Sequence, residues 1–161
     1  MLLNLFAKIT AGFLAIVLII MGCHFAEDSI YLIPDGYEGP VFVIFDQPAG
    51  NPEKYENGDR VYEIPSNGIL RTQFPPNRGR QKIQFFYSGR DGIRKPLLYK
   101  DKSELLRASK DSIYVFDHEM WNTTEFKDRN ENNAVRYMRF IVGKVSHRDS
   151  LYEVMNSMKI E

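Results

Sequence analysis

Cysteine occurs once in the 161 residues, at Cys23, so neither an intrachain disulfide nor a cysteine-rich zinc site can form. Histidine is nearly as scarce. His24, His118 and His147 give no His-x-x-His or His-x-x-x-His spacing of the kind that sets two ligands on one metal ion. No Gly-x-Ser-x-Gly marks a nucleophile elbow, and Gly89-Arg90-Asp91-Gly92 is turn chemistry rather than a phosphate loop. Neither sign of charge is in excess: Lys plus Arg and Asp plus Glu both number 21, which removes any whole-chain attraction to nucleic acid. Beyond the first 22 residues no apolar run is long enough to cross a bilayer. No cofactor, metal or nucleic acid is therefore expected. What remains is a globular composition, 43% apolar and 26% charged, with length enough for one core.

The exception among apolar runs comes first. After Lys8, residues 9–22 are apolar except for Thr10. As a helix this run would span about 21 Å, short of a hydrocarbon layer of ~30 Å, so it suits a secretory leader better than a permanent span. It ends in Ile20-Met21-Gly22-Cys23, which resembles the lipobox of bacterial lipoproteins: an aliphatic residue, a variable one, a small one, then cysteine. The resemblance implies cleavage before Cys23 and lipid on its sulfur, and two or more acyl chains would hold the protein at a membrane. Accordingly residues 1–22 are expected to be a lipoprotein signal peptide, 23–30 a tether and 31–161 a single β-rich domain. An uncleaved anchor, giving a bitopic inner-membrane protein, is the competing reading.

The body carries β punctuation. "VFVIF" at 41–45 has no polar alternation, which predicts a strand covered on both faces. Further strands are expected at 29–33, 60–64, 69–73, 82–87, 97–99, 113–116 and 135–142, with a helical turn or two begun by Ser103. "DQPAGNPEKYENGD" and "HEMWNTTEFKDRNENN" read as loops. Ser146-His147-Arg148-Asp149 resembles a capping box, and Leu151, Val154, Met155 and Met158 share one face, which predicts an amphipathic helix over 147–158. The fold class is thus mainly β: an antiparallel sandwich or strongly bent sheet with a C-terminal amphipathic helix. "YLIPDG" and "YEIPSNG" are related phrases, and each reads as a hairpin corner, a piece of scaffold rather than a site.

The phrases "IPDGYEGPVFVIF", "RVYEIPSNGIL" and "FIVG" resemble a group of uncharacterised bacterial exported and lipid-anchored proteins defined as a domain of unknown function. Its opening Ile-Pro-x-Gly-Tyr-x-Gly corresponds to Ile33, Pro34, Gly36, Tyr37 and Gly39. The resemblance implies an envelope location and brings no activity with it.

Candidate contacts are few. Charge is segregated: residues 71–110 hold eleven bases against three acids, whereas 24–70 hold nine acids against two bases. The basic stretch either pairs with acidic strands, the favoured expectation, or meets an anionic surface. Arg78, Arg80 and Trp121 are the residues singled out for ligand contact, Trp121 either as a stacking platform or as a core plug. Asp117-His118-Glu119 groups three potential metal ligands, but neighbours in a strand point to opposite faces. The functional expectation is a lipid-anchored envelope protein, on the outer membrane ahead of the inner, that binds or scaffolds a protein or glycan partner without catalysis. A hydrolase acting on glycan or ester is the alternative.

Overall fold

The computed structural model describes residues 26–89, 91–122 and 135–158. Among these residues ten strands form two five-stranded sheets. The first, sheet A, has the order β3-β4-β1-β6-β7, with β1 at Ser29–Pro34, β3 at Tyr55–Glu56, β4 at Asp59–Glu63, β6 at Ile83–Ser88 and β7 at Arg94–Leu97. Sheet B has the order β5-β2-β10-β9-β8, with β2 at Gly39–Ile44, β5 at Ile69–Arg71, β8 at Tyr99–Lys100, β9 at Ile113–Asn122 and β10 at Arg136–Lys144. A short helix α1, Lys102–Leu105, follows β8. A 3-10 turn at Val145–His147 leads into α2, Arg148–Ser157. The mainly-β sandwich with a C-terminal helix is therefore the observed class.

The sheets are mixed rather than purely antiparallel. β1 runs parallel to both β4 and β6, β2 parallel to β5, and β8 parallel to β9. The two Tyr-x-Ile-Pro phrases explain why. They do not fold back as hairpins within a sheet; each carries the chain from sheet A to sheet B, β1 into β2 and β4 into β5. Strands that follow one another in sequence therefore face each other across the core, and ladder neighbours arrive in the same direction. The two arches stand side by side, with Tyr31 paired to Tyr62 in one sheet and Phe42 to Ile69 in the other. Pro34 O accepts from Tyr37 N at 3.0 Å in the first turn and Pro65 O from Gly68 N at 2.9 Å in the second. The Tyr37 ring locks them together. Its hydroxyl donates to Pro40 O at 2.5 Å and lies against Gly68, whose φ is 76°. A side chain at Gly68 would meet that hydroxyl and come within 2.5 Å of the Pro40 carbonyl oxygen.

The core follows from the pleat. Tyr31, Ile33, Tyr62 and Phe85 on sheet A face Val41, Val43, Val115, Met138 and Phe140 on sheet B. Tyr62, Tyr31 and Phe85 come from adjacent strands in register and stack with centroids 4.8 and 5.0 Å apart. As the unbroken "VFVIF" run predicts, β2 is buried on both faces: Phe42 turns away from the sandwich and meets Phe116, Ile141, Leu105 and Met155, the cluster that α2 covers. On the far side of sheet A, Ile30, Leu32, Val61 and Phe86 form a third cluster. Glu56 and Arg94, on opposite edge strands, join above that face in a two-pronged ion pair at 2.8 and 2.7 Å.

Other differences from the sequence reading have local causes. Within the expected 46–59 loop, Asn57 and Gly58 adopt φ of 53° and 93° and close the β3–β4 hairpin. β9 continues to Asn122, through residues assigned to a loop, because β10 offers it partners as far as Arg136. Gly143 sits inside β10 and admits the Leu151 side chain rather than stopping the strand. α1 is started not by Ser103 but by Asp101, in a capping box with Glu104. The expected box at Ser146 is not made: His147 caps α2 without a side-chain hydrogen bond. On α2, Met155 is buried, whereas Val154 is 48% exposed.

A candidate binding site at the edge of sheet B

The parallel pairing of β8 with β9 lasts for only two residues, Tyr99 to Val115 and Lys100 to Phe116. There the chain turns away into α1, leaving the next stretch of β9 without a neighbour on that side. The opening is a groove of about 420 Å³ lined by Tyr99, Asp101, Lys102, Ser103, Asp117, His118 and Glu119.

Its floor is a β-bulge. Arg139 faces Glu119 and Ile141 faces Phe116, so Asp117 and His118 together oppose Phe140. Asp117 takes φ 54°, a left-handed backbone that aspartate tolerates better than most side chains. The bulge turns Asp117 towards α2, where its carboxylate, 6% exposed, lies 3.6 Å from Arg148. His118 turns inward against Tyr31, Phe85, Tyr99 and Phe140, with ring centroids 5.6 to 6.4 Å away. Burial pushes its pKa down to about 4, so the ring is neutral at pH 7, and its Nε2 has no hydrogen-bond partner. Glu119 returns to the outer face, 3.5 Å from Arg139. The three residues therefore do not converge. Among the described residues no group of three or more His, Cys, Asp or Glu side chains is placed to hold a metal ion.

The rim comes from β8 and α1. Asp101 Oδ1 accepts from Ser103 N at 2.8 Å, Glu104 N at 2.9 Å and Ser103 Oγ at 2.7 Å. These bonds, led by the one from Glu104 N, hold its carboxyl below the usual carboxylate range. Tyr99 extends the buried aromatic stack, 6.3 Å from Phe85, and leaves 43% of itself exposed to the groove. Burial, together with Asp101, Asp117 and Glu119, raises its pKa.

Trp121 lies on the same outer face as Glu119 and is half-buried. The Arg139 guanidinium sits 4.0 Å over the ring and the indole N–H donates to Glu119 at 3.1 Å. It is one member of a half-buried polar cluster. Arg78 and Arg80 stand on the loop between β5 and β6, both exposed. Cys23 and the lipobox residues Ile20, Met21 and Gly22 lie outside the described residues. Tyr99, Asp101 and Ser103 were missed by sequence reasoning. The Asp101-x-x-Glu104 spacing was the available signal, since it puts a helix start just after a strand ending in Lys100. A second, smaller cavity of about 240 Å³ opens between β4 and β5, lined in part by Glu53, Lys54 and Glu63.

A mixed two-sheet sandwich with a helix packed outside sheet B and an open edge groove is the class that this geometry defines. The chain belongs to DUF6843, a family of unknown function whose model matches residues 26–150. Among solved structures it is similar to a "Putative Lipoprotein from Bacillus anthracis", with 18% identity and a TM-score of 0.49 over 71% of this chain and 68% of that one. No curated protein matches. The resemblance drawn from "IPDGYEGPVFVIF" thus holds in its coarse form, membership of a family of unknown function.

Proposed function

We propose that the protein is a lipid-anchored protein of the bacterial envelope, on the outer membrane ahead of the inner, whose sandwich binds or scaffolds rather than catalyses. The observation that carries this reading is the closeness of lipobox and fold. Cys23 ends an apolar leader and is followed within six residues by Ser29, the first residue of β1. A lipid on Cys23 would present a folded domain on a short lead, as a membrane-held module requires. The groove supports binding by its chemistry. An exposed Tyr99 ring beside the carboxylates of Asp101, Asp117 and Glu119 suits a polyhydroxylated ligand such as a glycan, with a sugar face on the ring and hydroxyls donating to the acids.

Hydrolysis fits less well. Ser103 gives its hydroxyl proton to Asp101, His118 Nε2 has no partner, and Asp117 and Glu119 each lie beside an arginine. Among the groove residues neither a nucleophile–base pair nor an unopposed carboxylate pair is assembled. Feeding the native host an alkyne-tagged fatty acid tests the anchor. The wild-type chain is expected to take up the tag and Cys23→Ser to lose it entirely; equal labelling of the two, or none of either, would refute the reading.

A further inference from the structure

The end of the sandwich from which the Cys23 lead emerges is closed by a basic loop. Residues 27–29 are stitched to residues 75–82. Asn77 Nδ2 donates to Glu27 O at 2.6 Å, Lys82 N to Asp28 Oδ1 at 2.8 Å, and Ser29 N to Lys82 O at 2.9 Å. Ser29 Oγ donates to Gln81 at 2.9 Å, and Arg60 pairs with Glu27 while donating to Pro75 O at 2.6 Å. The first residues of the fold and this loop therefore move as one body. From that body Arg78, Arg80 and Lys82 project, all exposed and all without an ion pair among the described residues, although Asp28 and Asp59 lie at the same end of the sheet. The bases of the neighbouring β7 differ: Arg94 is paired with Glu56 and Lys95 with Asp35. The favoured expectation, that basic and acidic strands pair, holds for β7 and fails for this loop.

We propose that Arg78, Arg80 and Lys82 dock the domain on the anionic headgroups of the membrane that anchors it. The proposal rests on the reading of Cys23 as lipidated. Three residues lie between Cys23 and Glu27, four residue steps in all, so an acylated Cys23 keeps the pinned end within about 14 Å of the bilayer. Fully extended, the lead exceeds the ~8 Å over which charges interact at physiological salt, and its shorter conformations bring the loop within that range. Three exposed cations held so close to a negatively charged leaflet, set against Asp28 and Asp59 at the same end, leave one net positive charge that favours contact about fivefold. The lead and the loop together would fix which end of the sandwich faces the lipid. The groove beside Tyr99, on a different strand edge, would stay free for its ligand.

The test uses the full acylated chain extracted from its host and reconstituted in nanodiscs, of phosphatidylcholine alone or of phosphatidylcholine mixed with phosphatidylglycerol. Hydrogen–deuterium exchange across residues 77–82 is expected to be about fivefold slower or more on the anionic discs. The difference should vanish in high salt and in Arg78→Gln/Arg80→Gln/Lys82→Gln, whose exposed side chains hold no partner and whose loss leaves the fold intact. Equal exchange on both discs would overturn the proposal. So would protection given on neutral discs by soluble polygalacturonate and not by phosphatidylglycerol. Intact mass of the same sample separates the two readings. An unmodified Cys23 removes the anchor and this orientation with it, whereas an acylated Cys23 with lipid-indifferent exchange removes the docking alone.

Discussion

His118 occupies a box of aromatic rings that offers its inward nitrogen no partner, and that environment disfavours the imidazolium. The sign of the consequence follows from proton binding. As pH falls below about 6.5 the unfolded chain takes up the proton first, while the folded chain resists until about pH 4. Stability is therefore intact above pH 6.5 and declines by about 3 kcal/mol as pH falls to 4. Urea unfolding of His118→Phe should show a shallower decline than wild type across that window; identical pH profiles would contradict the assignment. A second residue-scale prediction concerns the arches. Gly68 combines a left-handed backbone with contact against Tyr37 and Pro40, so Gly68→Ala is expected to lower stability by about 2–4 kcal/mol. Gly36, also left-handed at φ 73°, has open space where a Cβ would point, so Gly36→Ala carries only the backbone strain and should cost about half as much.

At the scale of elements, α2 is held by one residue more than by any other. Met155 is buried in the Phe42–Phe116–Ile141 cluster while its neighbour Val154 is half exposed. Met155→Ala should cost about 2–4 kcal/mol by unfolding calorimetry, and Val154→Ala well under 1 kcal/mol. How far the sequence disclosed these elements depended on which signal carried them. The strand at "VFVIF" was legible because complete burial removes polar alternation, and the C-terminal helix because its apolar face recurs at helical spacing. Strand direction was not legible. A turn such as Pro34-Asp35-Gly36 has the same local chemistry whether it closes a hairpin within a sheet or carries an arch between two sheets, and only the partner strands decide. The groove was equally hidden. It arises where β8 stops pairing with β9, a tertiary event, and its floor depends on a bulge at Asp117 that a non-glycine residue gives little reason to expect. Asp117-His118-Glu119 did attract attention in the sequence, and in the structure the three side chains point apart.

On the scale of the whole molecule, the two surfaces proposed for contact lie apart, one at an end of the sandwich and one along an edge. One end holds the start of β1 and presents bases without an ion pair among the described residues; one long edge holds a groove with a neutral histidine, an exposed tyrosine and three carboxylates. Among the described residues no helix is long and apolar enough to cross a membrane. Ligand binding in the groove would be visible as a loss of affinity for a bound glycan in Tyr99→Ala, by about tenfold to a hundredfold for the loss of one stacking ring. The same substitution should leave membrane attachment unchanged. The most direct check of the account is the intact mass of the protein extracted from the membranes of its native host. It predicts a chain that begins at Cys23 and carries the added mass of a diacylglyceryl group. A chain that still begins at Met1, with Cys23 unmodified, would contradict it.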